Sequence, residues 1–189
     1  MKFCHSALSQ QQFLTEYWQK KPLLIRQAFP DFETPISPDE LAGLACEEEI
    51  ESRLIEENGG KWQVTRGPLT EADFARLAET HWTMLVQDVD KHCPDVQDLL
   101  TPFDFIPDWR RDDLMVSYAP KFGSVGPHTD SYDVFLLQAL GSRQWQIMDE
   151  PIHEAVLIDG IELQILSEFK ADQTWTLEVG DMLYLPPHI

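Results

Sequence analysis

The stretch Lys121-Phe122-Gly123-Ser124-Val125-Gly126-Pro127-His128-Thr129-Asp130-Ser131-Tyr132-Asp133 decides the fold. Gly123 and Gly126 supply a loop free to take positive φ, and Pro127 biases Gly126 toward an extended form. The loop delivers His128 and Asp130 to the mouth of a strand. In extended backbone, residues i and i+2 share a face, so the imidazole and the carboxylate can converge on one metal ion. Mixed nitrogen and oxygen ligation with open positions suits non-haem Fe(II), where two histidines and one carboxylate occupy one face of the coordination sphere.

Outward from this loop, short apolar runs recur between turn residues. Leu114 to Tyr118 precedes it and Val134 to Leu137 follows. Gly141-Ser142 then turns the chain into Arg143-Gln144-Trp145-Gln146-Ile147. Further on, Leu177-Glu178-Val179-Gly180-Asp181-Met182-Leu183-Tyr184-Leu185-Pro186-Pro187 is a Gly-Asp turn feeding a strand that ends in a proline pair. This texture predicts a sandwich or barrel of short strands from residue 111 onward.

Residues 1–110 read as a mixed α/β lead-in. Ser9 with Gln12 forms a capping box for a helix over 9–20, followed by a short strand from Pro22 to Arg26. Ser37-Pro38-Asp39-Glu40 starts a helix that runs to Cys46. Asn58-Gly59-Gly60 lies between Ile50 to Ile55 and Trp62 to Thr65, which predicts a hairpin. Thr70 caps a helix to Glu79, Trp82 to Val86 is a strand, and Pro94 to Leu100 is a helix.

Charge narrows the partners. The 189 residues carry 14 Lys+Arg against 33 Asp+Glu, a net charge of −19. Such a field repels phosphate backbones and anionic lipid, so direct nucleic-acid or membrane binding is not expected, and a cationic protein is. Between Glu33 and Glu57, nine acidic residues face only Arg53, a local charge of −8 that fits either a solvated face or a dock for a basic partner. Three scattered cysteines, Cys4, Cys46 and Cys93, without a Cys-x-x-Cys pair or an apolar leader, fit reduced thiols in the cytoplasm. His5, His81, His92 and His153 read as surface histidines.

Taken together, Gly-Pro-His-x-Asp, the Gly-x-Arg-x-Trp return strand and Gly-Asp-x-Leu-Tyr-x-Pro-Pro resemble the JmjC-type cupin hydroxylases, which use Fe(II) and 2-oxoglutarate. Within them, the chain is most similar to the bacterial ribosomal-protein arginine hydroxylases. That likeness extends to Tyr17-Trp18-Gln19-Lys20-Lys21-Pro22, to residues 36–45 and to Asp108-Trp109-Arg110-Arg111-Asp112-Asp113-Leu114-Met115. The resemblance implies an α+β, mainly β fold: a cupin, or double-stranded β-helix (jelly roll), core over 111–189, with the lead-in of 1–110 packed on it. It also implies a dioxygenase acting on an arginine of a basic large-subunit ribosomal protein, number sixteen, with a homodimer as an option for the full-length protein.

By position, the resemblance implies that His128 and Asp130 bind metal and that Arg143 holds the distal carboxylate of 2-oxoglutarate, a role suited to a bidentate guanidinium. Ser117 is a second donor to the same co-substrate. Asp113, Tyr132 and Met115 line the pocket for the substrate arginine, whose guanidinium needs a paired charge once it leaves water. The distal histidine of the family lies four residues after the second proline, which corresponds to position 191, whereas the sequence stops at Ile189. His188 is a poor substitute, since a shift of three residues displaces a side chain by about 10 Å and reverses its face. The expectation is a core lacking its last strand and C-terminal region, with an exposed sheet edge, weak metal binding and impaired activity. The alternatives are a non-catalytic acidic cupin module that docks a basic protein, and a metal cupin of isomerase or storage type.

Overall fold

A computed structural model describes residues 8–189, so Cys4 and His5 lie outside the described residues. The chain forms two compact units that interleave along the sequence. One comprises the described residues up to Thr34 together with Pro127–Ile158 and Ile165–Ile189, and the other Pro35–Gly126 with Asp159–Gln164. Residue 110, the boundary expected from sequence, falls inside the latter.

The Pro35–Gly126 unit is built on a four-stranded antiparallel sheet. Its strands are β2 (Ser52–Asn58), β3 (Lys61–Arg66), β4 (Trp82–Val86) and β5 (Val116–Tyr118), in the order β3-β2-β4-β5. Asn58 pairs with Lys61, which leaves Gly59-Gly60 as a two-residue loop at φ 59° and 82°, the backbone that a tight hairpin requires. Helix α2 (Pro38–Ala45) starts where the sequence predicts, with Ser37 accepting from the Glu40 N–H and the Glu40 carboxylate accepting in return from the Ser37 N–H. One face of the sheet presents Leu54, Met84 and Val86 to a core shared with Ile36, Leu41, Ala45, Ile50, Leu69, Val89 and Val96. Strand alternation adds Leu114, Val116 and Tyr118 to this packing.

Helix α3 (Glu71–Ala75) is shorter than the expected run to Glu79. The chain beyond it serves tertiary packing, with the Trp82 indole donating to the Ala78 carbonyl at 2.8 Å. After α4 (Val89–His92), the expected helix over 94–100 is α5 (Pro94–Gln97), which tightens into a 3₁₀ helix from Asp98 to Phe103.

The other unit opens with helix α1 (Gln10–Glu16), capped by the Ser9–Gln12 box. It ends before the predicted residue 20 because Gln19 adopts φ 56° and donates its backbone N–H to the Tyr184 hydroxyl at 2.7 Å. Strand β1 (Leu23–Ile25) pairs with β9 (Met182–Leu185), which also pairs with β6 (Val134–Leu137). A separate ribbon joins β7 (Ser142–Ile147) to β8 (Gln173–Glu178), with Trp145 opposite Trp175. The expected exposed edge therefore does not fall on β9, which is bonded on both sides.

An aromatic cluster centres on the fully buried Tyr184. Its ring lies 4.9 Å from Phe13, 5.0 Å from Phe135 and 5.9 Å from Trp18, so α1 and the turn after it are part of this core. The Gly-Asp turn has a different task. Gly180 sits at φ 86° with its Cα against the Phe29 carbonyl, where no side chain fits. The Asp181 carboxylate accepts the N–H groups of Gln27 and Glu178 and pairs with Arg26 at 2.5 Å. Burial opposes ionisation of Asp181, yet these donors outweigh it and hold the carboxyl below the ordinary aspartate value.

Candidate active site

The loop that ends one unit and opens the other uses its glycines in two ways. Gly123 lies against the carbonyl of Trp82 and the Ala119 methyl, so close approach requires it. Gly126 takes φ 81° and donates its N–H to Ser124 Oγ at 3.0 Å, rather than the extended form that Pro127 was expected to impose.

Beyond Pro127, His128 and Asp130 project from one side of the loop. His128 Nε2 lies 3.8 Å from Asp130 Oδ2, and both side chains are about one-third exposed, at 37% and 35%. Two donors about 2.1 Å from a common ion at right angles would stand about 3.0 Å apart, so a modest side-chain rotation brings both onto one metal. Imidazole nitrogen with carboxylate oxygen is a donor set that suits Fe(II). These two residues fit the metal.

His188, at the end of β9, lies beside this pair in a particular way. Its backbone N–H donates to the Asp130 carbonyl at 2.7 Å, which pins the loop to the strand end. Its ring packs against His153, with centroids 4.9 Å apart, and its own carbonyl accepts from the Ile152 N–H. Among the described residues, no group of three His, Cys, Asp or Glu side chains is placed to hold a metal ion.

Arg143 lies on β7, where Arg143, Trp145 and Ile147 alternate with the exposed Ser142, Gln144 and Gln146. The guanidinium stands 5.3 Å from the centre of the Trp145 ring, opposite the fully buried Leu177. Burial pulls its pKa below the ordinary arginine value. Tyr132 is 64% exposed at the end of the same loop.

The remaining candidates sit together on β5 and its approach. Leu114, Val116 and Tyr118 pack on the core, which leaves Asp113, Met115 and Ser117 on the opposite side of that segment. Asp113 Oδ2 accepts the Asp88 N–H at 2.8 Å, and Asp90 Oδ1 accepts the Leu114 N–H at the same distance. Burial, and then the like charges of Asp88, Asp112 and Asp90, raise the Asp113 carboxyl above the ordinary aspartate value, against the bond from Asp88. A cation would relieve that strain.

One group escapes the sequence reading. Tyr184 donates its hydroxyl to Asp133 Oδ1 at 2.5 Å, and the Gln19 side chain donates to Asp133 Oδ2 at 3.1 Å. This ties the far end of the His128–Asp133 loop to β9 and to the turn after α1. The signal was present: a tyrosine within an apolar strand needs a partner for its hydroxyl, and Asp133 follows Asp130 by three residues.

With this geometry in hand, comparison with known proteins is decisive. Residues 98–189 match the JmjC domain. Over 175 residues the chain is 45% identical to the ribosomal protein uL16 3-hydroxylase of Escherichia coli, an alignment covering 93% of this chain and 46% of that protein. It is 39% identical to a probable ribosomal oxygenase of Haemophilus influenzae, covering 92% and 43%. An X-ray structure of E. coli YcfD superposes with a TM-score of 0.91 at 43% identity, over 97% of this chain and 49% of that one. A YcfD structure in complex with cobalt and 2-oxoglutarate superposes with a TM-score of 0.84 at 43% identity, over 97% and 47%. The fold is thus the JmjC cupin, and the chain spans about half the length of the relatives it matches. The lead-in outside the JmjC match belongs to the same likeness, since these alignments reach across nearly all 189 residues.

Proposed function

We propose that the protein to which these residues belong is an Fe(II)- and 2-oxoglutarate-dependent hydroxylase acting on an arginine of a basic large-subunit ribosomal protein of the uL16 type. The observation that carries this reading is the His128–Asp130 pair, 3.8 Å apart on a JmjC loop. Iron with 2-oxoglutarate supplies the oxidising chemistry for a C–H bond when bound. His128 and Asp130 hold the metal, Arg143 binds the distal carboxylate of the co-substrate, and Ser117 donates a hydroxyl to it. Asp113 receives the substrate guanidinium, and Met115 and Tyr132 stand at substrate-binding positions by resemblance.

Support comes from the relatives, which include a uL16 3-hydroxylase and a protein crystallised with cobalt and 2-oxoglutarate. The net charge of −19 favours approach of a basic protein. A cytoplasmic setting is part of the proposal and agrees with Cys46 and Cys93 being unpaired. Two metal donors hold iron weakly, so residues 1–189 by themselves are proposed to retain little metal and to turn over poorly. A second reading, for these residues taken alone, is an acidic module that docks a basic protein, to which the net charge of −19 also lends itself.

The test is consumption of 2-oxoglutarate by the complete protein with Fe(II), with and without purified ribosomal protein. Stimulation by the basic protein that is lost in Asp130→Ala supports the hydroxylase. Binding of the ribosomal protein without any stimulation supports the docking module.

A further inference from the structure

A groove of about 420 Å³ opens on the Pro35–Gly126 unit, apart from the site residues described above. Its origin lies in how α2 covers the sheet. Leu41 and Ala45 of α2 face the core over Leu54, Met84 and Val86, while Pro38 and Ala42, one turn apart on its flank, are short and leave the start of β4 uncovered. Helix α3 ends at Ala75, so Leu77, Ala78 and Glu79 form the opposite wall as irregular chain. The volume lies within the range of about 300–1,000 Å³ usual for ligand clefts.

The lining combines aromatic walls with free acids. Phe74, Leu77, Trp82 and Tyr118 are only partly buried and supply the apolar surface. The rings of Trp82 and Tyr118 stand 5.7 Å apart at 43°, and the indole N–H is engaged by the Ala78 carbonyl at 2.8 Å. Asp39 and Glu79 also line the groove, both exposed, and among the described residues neither is paired with a cation. The Arg76 guanidinium, just after α3, is bound by Glu56, Asp73 and Thr65 instead, and no lysine, arginine or histidine lines the groove.

This lining selects an occupant by its chemistry. An anion would meet two carboxylates, and a wholly apolar segment would take water from them and offer no hydrogen bond in return. A lysine or arginine side chain meets both demands. Its methylene stem packs on apolar surface, its head pairs with a carboxylate, and its charge is drawn to the faces of tryptophan and tyrosine. The net charge of −19 also favours a basic partner. Tyr118 lies on the core side of β5, whereas Asp113, Met115 and Ser117 lie on the other side of that segment, so an occupant of the groove leaves those three free.

We propose that this groove is a docking site for a basic segment of the partner protein, away from the arginine that is hydroxylated. A lysine or arginine of that segment lays its stem along Phe74, Trp82 and Tyr118 and sets its charged head against Asp39 and Glu79. This rests on the reading that the partner is a basic ribosomal protein. The site adds affinity for the whole protein partner beyond what its target arginine supplies.

The experiment measures binding of purified uL16 to the complete protein by calorimetry. Asp39→Asn combined with Glu79→Gln weakens binding about five-fold or more at low ionic strength, and the difference shrinks as salt is added. Glu48→Gln combined with Glu49→Gln removes the same charge from an exposed turn of the same unit and stays within about two-fold of the parent. Ala42→Phe fills the groove without changing any charge and weakens binding to a similar degree as the rim pair. Equal effects of the rim pair and its control show the general field alone and overturn the proposal while leaving the hydroxylase reading intact, as does parent-like affinity of Ala42→Phe. A rim pair that melts more than about 5 °C below the parent without uL16 shows that the chain's own residues fill the groove, and also overturns it. A parent that does not bind uL16 overturns the reading of the partner and the proposal with it.

Discussion

Replacing Tyr184 with phenylalanine removes one oxygen atom and leaves the ring packing in place. The ring keeps its neighbours at 4.9 Å from Phe13 and 5.0 Å from Phe135, so no cavity forms. What disappears is the bond donated to Asp133 and the bond accepted from the Gln19 N–H at 2.7 Å. A bond to a charged carboxylate contributes about 1.5–3 kcal/mol and a neutral one about 0.5–1.5 kcal/mol, so the loss is about 2–4 kcal/mol. At roughly 2–4 °C per kcal/mol for a chain of this size, the melting temperature should fall by about 5–15 °C. Thermal unfolding followed by near-ultraviolet circular dichroism measures this, because the affected cluster contains Trp18 and Phe135. Asp133→Asn keeps an acceptor oxygen and should cost less than Tyr184→Phe. A melting temperature for Tyr184→Phe within about 1 °C of the parent would refute the claim that this hydroxyl fastens the metal loop to β9 and the α1 turn.

Three further outcomes follow from the geometry. Arg143→Met should abolish protection by 2-oxoglutarate, which at a hundred times its dissociation constant adds about 2.7 kcal/mol to the complete parent protein and is read as a thermal shift. Gly180→Ala should destabilise by more than about 1 kcal/mol in urea unfolding, because φ 86° and the Phe29 carbonyl both reject a methyl group. Asp113 has a raised pKa in the folded chain, so its contribution to stability is present at low pH and is lost as pH rises through that value. Asp113→Asn should therefore flatten the decline in stability above the ordinary aspartate range, and should weaken binding of an arginine peptide.

Local signals read well in this sequence. Ser9, Ser37 and Thr70 each form the predicted cap, because capping is settled within four residues. Gly59-Gly60 closes its hairpin and β4 runs over the predicted Trp82–Val86, since turn chemistry and a β-branched apolar run leave little choice. Helix α1 stops early because Gln19 is needed by Tyr184, a group distant in sequence, and the expected helix over 94–100 passes into a 3₁₀ helix from Asp98. Strand β8 passed unnoticed because its threonines at 174 and 176 dilute the apolar signal, although Thr-Trp-Thr-Leu is β-branched alternation. In the site, the closeness of His128 and Asp130 was legible from their spacing, while the roles proposed for Arg143, Ser117, Asp113, Met115 and Tyr132 rest on resemblance. The Asp133–Tyr184 bond needs three-dimensional placement.

The central claim, that these residues form the metal loop of a protein that hydroxylates an arginine, has a direct test. Purified uL16 is incubated with the complete protein, Fe(II) and 2-oxoglutarate, alongside an Asp130→Ala control, and digested for tandem mass spectrometry. The expected result is a gain of one oxygen atom on an arginine, absent from the control. An unmodified ribosomal protein, or an oxygen that also appears with Asp130→Ala, would contradict it.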